Sequence, residues 1–415
     1  MGHVVIIGNG VAGVTAARNI RKRSDHRITI VSSESQYFFS RPALMYLFMG
    51  SMEFDHLKPY DDGFWKRNRI DLVFGHATGI DTASRRVMID GGNAIDYDHC
   101  IVATGSVPNY GGWPGERSEG VQGLYSLQDL RNLDVSSRST EHAVVVGGGL
   151  IGIEAAEMLR SRNVGVTLLA RESGYWGNVL PSEESAVIGR HVGDHGVDLR
   201  LSTELGEIFS DTSGRVRAVV TKDGHEIACR TVVLAIGVSP NTALARASGL
   251  DVDRGIVVDG CFATTAPDVY AIGDCAQHAD GSVDQLWYTA RDHGEHVARV
   301  ICGDGAPYRR DVFYNSAKFF DIEYQTYGIV PAQVRNDASF TWMHPDRRHF
   351  LRIVHDGQGV TGFNALGIRL RASACMEWIR NRTPLSQVLD RLDEADFDPE
   401  FTRTIKRVGR ERRAA

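Results

Sequence analysis

The sequence predicts an α/β protein: two Rossmann-like three-layer domains followed by an α+β domain. Two observations carry the first part. A strand, a glycine turn, a helix and a second strand occur in that order twice, once around Gly8 and again around Gly147. Each unit is answered later by a buried strand that ends in glycine, "HCIVATG" and "TVVLAIG". The third observation is a change of texture from about Tyr308, where aromatic-rich strands ("FYNSAKFFDIEYQTYG", "HFLRIVHD", "VTGFNALG") precede a helical "IRLRASACMEWIRNR".

Taken in order, "HVVIIG" is a continuous apolar run of the kind buried in a parallel sheet. It leads through "GNGVAG" into the helical "VTAARNIRKR" and then the strand "HRITIV", His26 to Val31. "RVMIDGGNAIDYDHCIVATGSVP" alternates and turns like hairpins that end in a buried strand. The second unit, "EHAVVVGGGLIGIEAAEMLRSRNVGVTLLARES", repeats the first. "GIVVDGCFATTAPDVYAIGDCA" supplies two short strands with turns, and "TIKRVGRERRAA" is a basic tail expected to be solvated.

At 415 residues the chain exceeds one ordinary core. A hydrophobic fraction of 42%, a charged fraction of 24% and a net charge of −6 point to neither nucleic acid nor an anionic membrane. No apolar run reaches the roughly 18 residues that span a bilayer. The opening strand predicts a chain without a leader, and six scattered cysteines without C-x-x-C predict reduced thiols in a cytoplasmic setting.

Gly8, Gly10 and Gly13 form G-x-G-x-x-G between a buried strand and a helix. The first glycine permits the turn, the second lets a pyrophosphate approach the backbone, and the third allows helix and strand to pack closely. Glu34 follows the second strand and is the expected ribose-binding carboxylate. Gly147, Gly149 and Gly152 form the second cradle. After its second strand, Ala170 stands where an acid would select NADH, and Arg171 follows. That pair tilts the reading towards NADPH, the alternative being a solvated Arg171 with Glu172 on the ribose.

With "GNGVAG", "IVATGSVP", "GGGLIGIE", "LAIGVSPN" and "TTAPDVYAIGDCA" in this order, the chain resembles the FAD/NAD(P)-dependent pyridine nucleotide-disulfide oxidoreductase superfamily over about residues 3–330. The resemblance implies an NAD(P) domain inserted into an FAD domain. The expected division is 1–108 and 239–306 for FAD, 109–238 for NAD(P)H, and 307–415 for a C-terminal interface domain of the kind that supports homodimers. It implies FAD in the first cradle and NADPH or NADH in the second. Ala103, Thr104 and Gly105 would pack on FAD, with Gly237 closing the matching "LAIG" and Gly273-Asp274 reaching the ribityl chain. Glu154, in "GIE", matches the family glutamate near nicotinamide and flavin. "NSAKFFDIEYQTYG" is similar to a segment of NADH oxidases, coenzyme A-disulfide reductases and nitrite reductase flavin domains. "QLWYTARDHGEHVAR" is similar to a helix of ferredoxin and rubredoxin reductases that sets a tryptophan, here Trp287, beside the flavin.

The departures matter as much. Disulfide reductases need a low-pKa thiol at the flavin. Neither a C-x-x-x-x-C pair nor the single cysteine of the related branch is present, and in "FSRPALMY" Pro42 stands at the cysteine position. Arg41-Pro42 resembles the R-P-x-L-S-K segment of ferredoxin reductases and apoptosis-inducing-factor-like flavoproteins, with Tyr46 where those carry lysine. Arg41, Pro42, Tyr46 and Trp287 are therefore expected around the flavin, with Glu154, Arg41, Tyr46 and Trp287 in the catalytic set. His191 and His195 lack a third ligand in sequence and are expected to be surface residues, so no metal set is predicted. Tyr37, Phe38, Phe39, Phe64, Trp65, Tyr175 and Trp176 read mainly as core. The expected function is an NAD(P)H-dependent FAD reductase of a non-disulfide acceptor, first a small iron–sulfur protein of ferredoxin or rubredoxin type. A quinone or dioxygen is the second choice, and a redox-sensing interaction protein the alternative class.

Overall fold

A computed structural model describes residues 2–400 together with Ile405, Arg407 and Val408, except the side chain of Asn336. Most of the basic tail lies outside the described residues. The α/β class expected from sequence is the class observed. The chain gathers into two compact units: residues 1–109, 123–134 and 237–309 form one, and 110–122, 135–236 and 310–415 the other.

The first unit is built on a five-stranded parallel sheet, ordered Val269–Ala271, His99–Val102, His3–Ile7, Arg27–Ser32, Ile70–Phe74. Val5, Ile6, Ile28, Ile101 and Val102 are fully buried, which is why these strands read as unbroken apolar runs. The second strand runs one residue later than the sequence pattern indicates, Arg27–Ser32 rather than 26–31. Helix Val11–Arg23 packs against helix Trp287–Ile301 at a close crossing. A Cβ on Gly294 would lie 2.4 Å from the Ala12 carbonyl oxygen, so only glycine admits that approach. An antiparallel three-stranded sheet, Ala77–Asp81, Arg86–Ile89 and Ala94–Asp96, carries the expected hairpins.

The second unit repeats the design with the parallel order Val197–Arg200, Gly165–Leu169, His142–Val146, Thr231–Leu234, Val121–Gln122. It also contains a five-stranded antiparallel sheet, ordered Tyr314–Phe319, Ile322–Gly328, Val360–Leu366, Phe350–His355, Ser339–Met343. Tyr327, Leu351, Phe363 and Trp378 form its core with helix Ala372–Arg380. Helix Ser182–Asp194 is tied to this sheet by a buried ion pair. Arg352 donates to both Glu184 oxygens at 2.8 and 2.9 Å, and Asn364 adds a third hydrogen bond at 3.2 Å. The two charged side chains are 3% and 0% exposed. Among the described residues no helix is long and apolar enough to cross a membrane.

Candidate functional site

Both glycine cradles are sharply contrasted position by position. Gly8 has φ +114°, and a Cβ there would sit 2.1 Å from the Ala103 carbonyl oxygen; one on Gly13 would sit 2.1 Å from that of Gly8. Gly147 and Gly152 are equally crowded, by Ala235 and by Gly147 itself. Gly10 and Gly149 differ, because a Cβ on either meets nothing within 4 Å. Each of those open glycines caps a helix that has no side-chain cap and no acid in its first turn. The free N–H groups and the positive end of the helix dipole are thus left for an anion, and the open surface fits the phosphates of a dinucleotide.

In the first unit, the residues after the second strand converge. Arg41 donates to both Glu34 oxygens at 2.9 and 2.6 Å and to the Tyr125 carbonyl at 2.7 Å. Its guanidinium also lies over the Tyr125 ring, 4.5 Å from the centroid. Glu34 accepts a further N–H from Leu127 at 2.9 Å. Burial pushes the Glu34 carboxyl up, but the Arg41 guanidinium outweighs it and holds the group below its ordinary value. Arg41 is accordingly a half-buried, paired cation rather than a surface arginine. Pro42 occupies the first turn of a 3-10 helix, Arg41–Ala43, where its missing N–H matters least. Tyr46 follows, half-buried, on the short helix Leu44–Phe48.

Asp274 lies in the same unit. Ser106 donates to it at 3.0 Å, and Gln285 donates to the Ser106 oxygen at 3.0 Å. Burial raises the Asp274 carboxyl above its ordinary value, against the Ser106 hydrogen bond. Thr104 donates to the Asn241 carbonyl at 2.7 Å, which ties "ATG" to the segment after Gly237. Trp287 starts its helix with 39% of its surface exposed, so it is not a core tryptophan. Of the aromatics, Phe38, Phe39, Trp65 and Tyr175 are buried as core residues.

In the second unit Glu154 stands on helix Leu150–Ser161, two residues after the third cradle glycine. Burial first, and the neighbouring Glu157 second, push its carboxyl up to about 7. Glu157 is buried and accepts from Lys318 at 2.7 Å. Ala170 is buried at the strand end, and the exposed Arg171 donates to Glu172 at 3.0 Å. Sequence reasoning did not single out Ser106, Tyr125, Gln285 or Lys318. Ser106 and Gln285 stood inside "IVATGSVP" and "QLWYTARDHGEHVAR" and Lys318 inside "NSAKFFDIEYQTYG", each matched only for its family likeness, while Tyr125 lay outside every motif.

No cysteine is arranged as a redox centre. All six are free, and Cys100, Cys229, Cys275 and Cys375 are buried. Cys275 donates to the Ile272 carbonyl, and burial pushes its thiol up, away from the thiolate form.

A family model described as pyridine nucleotide-disulphide oxidoreductase matches residues 2–294. The chain belongs to that family. It is 30% identical over 326 residues to a nitrite reductase [NAD(P)H] of Bacillus subtilis, a match covering 77% of this chain and 40% of that protein. The chain therefore spans about two fifths of that relative's length. It is 35% identical over 280 residues to rhodocoxin reductase of Rhodococcus erythropolis, covering 66% of this chain and 65% of the relative. A crystal structure of a ferredoxin reductase from Rhodopseudomonas palustris superposes with a TM-score of 0.83 at 24% identity, over 94% of this chain and 99% of that one, and shows the fold.

Proposed function

We propose that this chain is an NAD(P)H-dependent reductase of a small iron–sulfur electron carrier of the ferredoxin or rubredoxin type. The observation that carries the reading is the missing thiol. Pro42 takes the position of the redox cysteine, four of the six cysteines are buried, and burial and nearby carboxylates push the Cys261 thiol up. A family fold without a thiol relay must pass electrons outward from its cofactor. Relatives named for such carriers, rhodocoxin reductase among them, support this.

FAD, when bound, supplies a centre that accepts hydride and releases electrons singly or in pairs. In this reading residues 1–108 and 239–306 form its domain, and Gly8, Gly10 and Gly13 receive its pyrophosphate. The ribose falls to the Glu34–Arg41 neighbourhood, Ala103–Gly105 and Gly237 line the cofactor, and Gly273-Asp274 orients the ribityl chain. Pro42 and Tyr46 shield the ring where relatives carry reactive groups, and Trp287 contributes an exposed aromatic edge. Residues 109–238 receive the nicotinamide nucleotide at Gly147, Gly149 and Gly152. Arg171, released from Glu172, would favour NADPH. Glu154 holds a proton near neutral pH, so the nicotinamide side of the site carries less negative charge than its carboxylates imply. The free thiols fit a reducing, cytoplasmic setting.

Stopped-flow reoxidation of the NAD(P)H-reduced protein by ferredoxin, rubredoxin, a quinone and dioxygen tests the acceptor. The iron–sulfur proteins are expected to be fastest. Reoxidation by dioxygen or quinone as fast as by either carrier would overturn the reading. Turnover well below about 1 s⁻¹ with every acceptor, against the usual enzyme range, would point instead to redox sensing.

A further inference from the structure

The sequence expectation for His191 and His195 was of surface histidines without a third ligand. The structure corrects this. His191 is only 5% exposed, and the hairpin between Tyr314–Phe319 and Ile322–Gly328 brings Asp321 to both rings. The two histidines lie one turn apart at the end of helix Ser182–Asp194, on one face. Phe320, with φ +54°, turns the hairpin and stacks on His195 with ring centroids 4.2 Å apart.

We propose that His191 Nε2, His195 Nε2 and an oxygen of Asp321 form a binding site for a divalent metal ion of the zinc class. The three ligand atoms lie within 4.8 Å of one another. Asp321 Oδ1 is 2.6 Å from His191 Nε2 and 3.6 Å from His195 Nε2. Tetrahedral zinc with bonds near 2.0–2.1 Å separates its ligand atoms by about 3.3 Å, so the 3.6 Å edge is already close and the 2.6 Å edge has to open on binding. The protonation pattern is right for a ligand. His195 Nδ1 is 2.9 Å from the His191 carbonyl, which can only accept, so the ring proton sits on Nδ1 and the Nε2 lone pair faces Asp321. His191 Nε2 is fully buried and makes no aligned hydrogen bond despite its short approach to Asp321. The other Asp321 oxygen is held by Arg348, the kind of outer contact that fixes a ligating carboxylate.

Two other histidine–aspartate groups fit a metal less well, although His278 Nε2 and His293 Nε2 are likewise buried without an aligned hydrogen bond. In the cluster of His278, Asp284 and His293, His293 Nδ1 accepts the Gly273 N–H at 3.2 Å, so its neutral ring carries a proton on Nε2, towards Asp284. In the turn of His344, Asp346 and His349, both rings reach the carboxylate at ordinary hydrogen-bond distance, 2.9 and 2.8 Å. With three protein ligands and a half-exposed carboxylate, the proposed site leaves a coordination position for water.

The test uses tag-free, flavin-loaded protein stripped with a chelator and titrated with Zn²⁺ and, separately, Co²⁺. One Zn²⁺ per chain is expected to survive gel filtration and to raise the unfolding midpoint. His195→Ala and Asp321→Asn should each weaken binding at least about tenfold, the scale on which losing even an outer contact is felt, while His344→Ala leaves it unchanged. An intact flavin spectrum shows that the variants are folded. The wild-type protein alone gives a second reading, since bound Co²⁺ should show the intense visible bands of a four-coordinate ion beyond the flavin absorbance. Binding unaffected by both variants, binding lost with His344→Ala, or a Co²⁺ spectrum no different from the free ion would each overturn the proposal.

Discussion

Glu154 shows what a single residue inherits from its surroundings. Its carboxyl is pushed up from the ordinary 4.5 to about 7 by burial and by Glu157, with Lys318 pulling the other way. The sign of the consequence follows from linkage. Between pH 4.5 and 7 the folded chain keeps a proton that the unfolded chain releases, so stability falls as pH rises through that window. Unfolding midpoints measured across pH 4–8 should therefore decline more steeply for the wild type than for Glu154→Gln. Parallel profiles would remove Glu154 as the source. The glutamate itself was legible in the sequence as part of "GIE". Its environment was not, because Lys318 arrives from a strand 161 residues beyond Glu157, with which it pairs.

At the scale of the element, the cradles were legible because everything they require is local: a strand, spaced glycines, a helix. The structure adds that the three glycines of each cradle are present for different reasons. Gly10 sits at φ −69° and Gly149 at φ −90°, conformations any residue adopts, with open space where a Cβ would go. Gly10→Ala should leave the apoprotein within about 0.5 kcal/mol of wild type, as ordinary surface changes do, yet weaken FAD retention. Gly149→Ala should do the same for NAD(P)H, raising KM while FAD stays bound. Equilibrium unfolding, flavin fluorescence on dilution and steady-state kinetics together check both, and unchanged cofactor affinity would argue against the cradles. Gly294→Ala is the opposite case. It forces a Cβ against the Ala12 carbonyl and should lower stability by about 1–3 kcal/mol, as overpacking does. In sequence that glycine stood only within the family-like stretch "QLWYTARDHGEHVAR", and the reason for it was hidden, since its partner helix lies at the other end of the unit's chain.

Across the whole molecule, the fold class followed from apolar runs and glycine punctuation. The tertiary charge pairs did not. Glu184 stands in the first turn of its helix, yet it is fully buried against Arg352, 168 residues away. Glu184→Ala would leave that buried guanidinium with only the half-exposed Glu183 as counter-charge, 2.9 Å away, with an expected loss of up to about 3–5 kcal/mol in denaturant unfolding. Replacing both, Glu184→Leu with Arg352→Met, should recover most of it. Equal losses in the single and double variants would mean that packing rather than charge governs the site. The pairing of His191 and His195 with Asp321 was hidden for the same reason, a third partner supplied only by the fold.

The central claim is that this chain moves electrons through its flavin alone, with no cysteine relay. Anaerobic titration of the purified flavoprotein with NADH or NADPH, coupled to thiol counting after denaturation, tests it most directly. The account predicts full bleaching of the flavin by one equivalent of reductant and an unchanged count of six thiols per chain. A requirement for two equivalents, with new thiols appearing as the second is consumed, would contradict it.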